Sequence, residues 1–307
     1  MTMRPRAERW RFAAAFAAAK RPFMRKLHWL GAASALVLTL AACEVSNTAG
    51  NEPAAVESGA EAPALANVPM QVDTSYLTAE EREVVNLLIQ AAELMNPIYL
   101  RQVSAENPRI REEIVKSGDK AVLAKFDQMM GPWDELDEDK PFFGNAARPV
   151  GAGFYPADLT KAQFDQYLAA HPDEAQALTS PYTVVKRQGD KLVALPYSQE
   201  YRQWLEPAAK LLEQAAAKTS NASLKKFLTL RAKAFRTDDY FESELAWMDL
   251  AGTPIEVVIG PYETYTDKLY GRKTAFEAYV TLRNPDESRA LDVYKGHLRA
   301  MGANLPV

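Results

Sequence analysis

Apolar residues recur at helical spacing through most of the chain after residue 78 and change to strand-like alternation after Ile255. Thr78-x-x-Glu81 reads as a capping box ahead of Val84, Val85, Leu87, Leu88, Ala91, Ala92, Leu94 and Met95. That predicts a buried helix over residues 79–95, which Pro97 ends or kinks. A further helical stretch starts near Pro108, breaks at Ser117-Gly118, resumes with Val122, Leu123, Phe126 and Met129 or Met130, and closes at Gly131-Pro132. Thr160-x-x-Gln163 caps a short helix carrying Phe164 and Leu168 that ends before Pro172. Tyr201, Trp204, Leu205, Ala208, Leu211, Leu212 and Ala215 form the clearest apolar stripe, one helical face over several turns. Another helix follows over residues 221–236, with Leu224, Phe227, Leu228 and Leu230 inside and a basic outer face read as solvated.

Strand signals are fewer. Tyr182 to Lys186, a turn at Gln188-Gly189-Asp190, and Lys191 to Leu195 predict a hairpin. Ile255 to Ile259 leads through Gly260-Pro261 into Tyr262-Glu263-Thr264-Tyr265, and Thr274 to Thr281 alternates like a second strand. A last helix is predicted from Glu287 to Leu298, and Gly144 to Pro156 reads as a long ordered loop. The acidic run Asp134 to Asp139 lacks the spacing of an EF-hand loop and reads as a solvated turn. The fold class is therefore α+β, a mostly helical first half with a hairpin and then the beginning of a sheet.

Charge and composition divide the chain further. The formal charge of −4 is uneven: residues 1–42 hold eight basic side chains against the single acid Glu8, a local +7, which leaves −11 for the rest. An acidic body does not suit a phosphate backbone, so no nucleic-acid partner is expected. From Met24 a short basic region, an apolar run and the small residues Ala41-Ala42 make the three parts of a secretory signal, too short to span a bilayer. Leu40-Ala41-Ala42-Cys43 resembles the lipobox of bacterial lipoprotein signals, which implies lipidation of Cys43; an ordinary signal with an incidental cysteine is the alternative. Glu44, where such lipoproteins carry Asp for inner-membrane retention, implies the outer membrane with the domain facing the periplasm, the alternative being secretion to the periplasm. Residues 1–23 then read as an upstream extension, 24–42 as the signal, 43–72 as a lipidated cysteine with a polar tether, and 73–307 as the folded domain.

The single cysteine excludes an internal disulfide framework, and the three histidines are followed by Trp29, Pro172 and Leu298, so no His-Glu-x-x-His helix exists. A nucleophile elbow and a phosphate loop are also missing, and Gly151-Ala152-Gly153 lacks the context of a dinucleotide site. His171 and His297 read as surface residues. No catalytic or metal-ligating residue is assigned. Glu263 and Tyr265, two apart on a strand, project to one face, where a carboxylate can hold an amine and a phenol can donate to a carbonyl oxygen.

The stretch from Ile259 to Val280 resembles the dipeptidyl-peptidase III family of zinc metallopeptidases, in its shorter bacterial branch. The matching elements are Glu263-Thr264-Tyr265, Asp267, Tyr270-Gly271, Arg272 and Phe276-Glu277-Ala278-Tyr279-Val280. The similarity extends over most of residues 75–306, including Gly151 to Thr160 and Asp238 to Leu250. It implies that Glu263 anchors a peptide's free amino terminus and that Tyr265 steadies the scissile carbonyl as it becomes an oxyanion. Asn304-Leu305-Pro306 resembles the opening of the family's Asn-x-Pro-Asn element, which implies that Asn304 binds substrate main chain, although position 307 is Val. In that family the zinc ligands lie further along, so the resemblance implies the amino-terminal portion of a two-lobed peptidase. Zinc is then the cofactor of the complete family and not bindable by this chain, peptides are the substrates, and a carboxy-terminal half is missing. The expectation is a lipid-anchored peptidase truncated before its zinc site and inactive alone. The alternative is a non-catalytic lipoprotein that keeps the cleft as a peptide-binding or scaffold surface.

Overall fold

The computed structural model describes residues 72–306. The expected extension, signal, Cys43 and nearly all of the tether lie outside the described residues.

Helix α1 (Ala79–Glu93) begins at the predicted capping box, with Thr78 and Glu81 exchanging side-chain-to-backbone hydrogen bonds. It stops at Glu93, and α2 (Asn96–Val103) carries Pro97 in its first turn, where a missing N–H costs nothing. Helices α3 (Asn107–Ser117) and α4 (Lys120–Met129) follow the predicted break: Gly118 ends α3 in the left-handed region at φ +76°, and the Asp119 side chain caps α4. Strands β1 (Trp133–Asp134) and β2 (Lys140–Pro141) bracket the acidic turn. That turn is not simply solvated. Asp134 pairs with Lys125 at 2.7 Å, Glu135 with Arg148 at 2.6 Å, and Asp139 with Arg148 at 2.8 Å and Lys268 at 2.5 Å. Local helix or strand spacing does not reveal this, because Arg148 lies 9 and 13 residues from its partners and Lys268 lies 129 from Asp139.

The loop expected over residues 144–156 holds a 3₁₀ turn, Ala152–Phe154, pressed against α2. Gly153 permits the approach, since a Cβ there would overlap the Arg101 carbonyl oxygen. Helix α5 (Lys161–Ala170) starts at the Thr160–Gln163 box, and α6 (Pro172–Leu178), which the spacing did not predict, starts on Pro172 itself. The hairpin is β3 (Thr183–Gln188) with β4 (Lys191–Pro196), turning at Gly189.

After the short α7 (Tyr197–Glu200), α8 (Arg202–Lys218) presents its predicted stripe to α1 on one side and to α9 (Ala222–Thr237) on the other. Leu205, Ala208, Leu212 and Ala215 are fully buried there. Each such leucine contributes about 1.5–3 kcal/mol by leaving water. Helix α10 (Phe241–Met248) packs against α9 and is a second element that the spacing missed. Strands β5 (Ile255–Glu263) and β6 (Ala275–Leu282) form an antiparallel hairpin against α1 and α2, and Ile255, Val257, Ile259 and Phe276 join the core. Helices α11 (Pro285–Lys295) and α12 (Leu298–Ala303) replace the single last helix expected and bury no residue. All sheets among the described residues are two-stranded and antiparallel, which makes the fold α+β as expected. No helix among the described residues is long and apolar enough to cross a membrane.

Candidate functional site

Along β5 the register pairs Ile255 with Leu282, Val257 with Val280, Ile259 with Ala278 and Pro261 with Phe276. These are the core-facing residues. At the alternate positions Val258, Glu277 and Tyr279 are partly or fully exposed, whereas Gly260, opposite Glu277, is buried against Arg231. Strict alternation would turn Glu263 inward with Pro261. Instead a bulge between Pro261 and Glu263 leaves Tyr262 unpaired and places Glu263 opposite Ala275. Glu263 therefore shares its face with Glu277 and Tyr279.

Beyond Glu263 the strand ends, so the expectation that Tyr265 shares a strand face with Glu263 is corrected: Tyr265 lies in the following turn. The loop is organised by Asp267, which is almost fully buried. Its carboxylate accepts backbone N–H bonds from Leu269, Tyr270, Arg272 and Lys273 and the phenol of Tyr155, at 2.9–3.1 Å. The Lys273 ammonium, also buried, donates to the carbonyls of Leu178 and Ser180 and to the Thr183 hydroxyl, pinning the loop to the end of α6. On the other strand, the buried Gln102 amide of α2 donates to Thr274 O and accepts from Phe276 N, holding the start of β6.

These constraints converge on a cavity of about 290 Å³ whose walls include Glu263, Tyr265, Glu277, Tyr279, Tyr99 and Met130. The two candidates named from sequence are thus brought together by a turn and not by strand period. Glu277 was quoted in the resemblance without a role; its signal was the alternation of Phe276, Glu277, Ala278 and Tyr279. Partial burial, and then the nearby Glu263 carboxylate, raise the Glu277 carboxyl above the usual range, with Tyr279 opposing. The Tyr265 phenol is raised by burial first and then by Tyr99 and Glu263, which keeps it a hydrogen-bond donor at neutral pH. Two carboxylates beside a protonated phenol suit a cationic amine next to a carbonyl group.

Asn304 is not in this cavity; it is an exposed residue just after α12, its N–H bonded to Ala300 O and Met301 O. His297 is exposed, and His171 stacks on Tyr167 at 4.2 Å between α5 and α6. Cys43 lies outside the described residues. A larger cavity of about 510 Å³ lies between Leu250–Glu256 and α11 and includes none of the candidates. Among the described residues no group of three or more His, Cys, Asp or Glu side chains could hold a metal ion. These residues therefore do not fit a catalytic zinc.

Residues 158–306 match the profile of Peptidase family M49. The structure is similar to DPP III from Caldithrix abyssi, with a TM-score of 0.74 at 50% identity, covering 76% of this chain and 45% of that one. It is also similar to dipeptidyl-peptidase III from Corallococcus sp. strain EGB, with a TM-score of 0.73 at 39% identity, covering 79% of this chain and 46% of that one. A curated relative, Nudix hydrolase 3 of Arabidopsis thaliana, is 28% identical over 78% of this chain and 38% of its own length. The chain thus spans less than half the length of these relatives.

Proposed function

Because this chain belongs to the dipeptidyl-peptidase III-like family, we propose that it supplies the peptide-binding face of a zinc-dependent peptidase and holds the free amino terminus of a peptide between Glu263 and Glu277. Supporting this is the convergence of those carboxylates with Tyr265 in one cavity. The ammonium sits between the carboxylates, and the Tyr265 phenol donates to a carbonyl oxygen of the bound peptide. Asn304 is the further main-chain contact that the resemblance implies.

Peptidases of this family use zinc to activate water, and on this reading residues 72–306 bind the peptide while the metal ligands lie outside them. The lipobox-like Leu40 to Cys43 supports anchorage through lipid on Cys43 at the outer membrane, with the domain facing the periplasm. Calorimetric titration of the purified chain with tetra-alanine and with its N-acetylated form tests the binding. The free amine should bind at least about tenfold more tightly, and Glu263→Gln should abolish that preference, because a charged hydrogen bond is worth about 1.5–3 kcal/mol. Equal affinity for the two peptides would remove the reading. Release of a chromogenic dipeptide by the zinc-loaded chain would refute the separation of binding from hydrolysis.

A further inference from the structure

Resting on the reading of Glu263 as the amine anchor, we infer that Arg231, on α9, is a positioning residue that fixes which face of the hairpin Glu263 takes. One unpaired residue, Tyr262, is all that separates a Glu263 on the cavity face from a Glu263 turned inward with Ile259 and Pro261, because side chains alternate with a period of two. A bulge with nothing to hold it is free to migrate along the strand.

Arg231 holds this one on its amino-terminal side and at the bulged residue. It is fully buried, and its Nη1 donates both to the Ile259 carbonyl at 2.7 Å, just before the bulge, and to the Tyr262 hydroxyl, the bulged residue itself. Its Nη2 donates to Glu244 on α10 at 2.7 Å, which balances the charge and fixes the plane of the guanidinium. The strand is shaped to admit it. Gly260 lies at φ +152°, and a Cβ there would overlap Nη1. Its plane also lies against the Tyr262 and Tyr240 rings, at 5.4 Å from each centroid. The guanidinium spreads its donors over two nitrogens, so Nη1 serves the carbonyl and the phenol while Nη2 serves the carboxylate; a lysine would have to meet all three from one nitrogen.

A double-mutant cycle on the full chain tests this, with Arg231→Lys, Tyr262→Phe and Glu263→Gln, using tetra-alanine and its N-acetylated form. Arg231→Lys should reduce the preference for the free amine about tenfold and Tyr262→Phe about threefold. In the Glu263→Gln background neither should change binding further. Hydrogen exchange should quicken at the amides of Tyr262, Glu263 and Thr264 in both single variants while α8 keeps its protection. If Arg231→Lys does not fold, Tyr262→Phe carries the same comparison. Retained preference and unchanged exchange in a folded variant overturn the inference, as does an equal loss in the Glu263→Gln background. A wild-type chain that binds both peptides equally, but whose bulge loosens in the variants, keeps Arg231 as the holder of the bulge and removes the amine-anchor reading instead.

Discussion

If Glu263 and Glu277 hold an ammonium as proposed, Glu277 carries the pH dependence of the site. Its carboxyl is raised by burial and by the Glu263 carboxylate, so on acidification it takes up a proton at higher pH than an ordinary glutamate. A protonated carboxyl no longer attracts an ammonium. Affinity for a free-amine peptide should therefore begin to fall above the usual carboxylate range. In Glu277→Gln the fall should move to lower pH, and the neutral-pH affinity should drop several-fold; titrations between pH 4 and pH 8 read both. An identical profile in the variant would show that Glu277 does not take part. Glu263 was singled out as a candidate by the family resemblance, whereas Glu277 emerged only from the cross-strand register.

At the scale of elements, two joints set the cavity walls. The 3₁₀ turn lies so close to α2 that Gly153→Ala must push the backbones apart. A cost of about 1–3 kcal/mol is expected, and differential scanning fluorimetry should record a fall of several degrees in Tm. Lys273 joins the site loop to the end of α6. Burial lowers it to about 7, with the Asp267 carboxylate opposing. In the unfolded chain a lysine keeps its proton to about pH 10.4, so between these values the unfolded state binds more protons and stability rises with pH. The rise is on the order of 4 kcal/mol when complete. Lys273→Met should flatten Tm between pH 7 and 10; an unchanged slope would assign the dependence elsewhere. Capping boxes made the starts of α1 and α5 legible, and the stripe of α8 gave its buried face. Helices α6 and α10 were missed, the first because its initial proline read as a stop and the second because its short span exposes Phe241, Leu245 and Met248.

Over the whole molecule, the last two helices differ from the rest. Leu291, Val293, Tyr294, Leu298, Met301 and Leu305 are exposed, and neither α11 nor α12 buries a residue. Exposed apolar surface of this kind favours association. The chain should bind a hydrophobic dye and sediment with concentration-dependent mass, and Leu291→Glu with Leu298→Glu should suppress both; a monomeric, dye-silent wild type would contradict this. By itself the sequence determined the α+β class, most helices, both long hairpins and the family resemblance, because these follow from local period, capping and a contiguous motif. Only the tertiary structure decided that Glu263 and Tyr265 share a cavity, that Glu277 joins it and that the acidic turn is tied down by Lys125, Arg148 and Lys268. A one-residue bulge reverses a strand face, and these ion pairs join separate elements and loops instead of neighbouring turns of one helix; neither leaves a mark in local spacing.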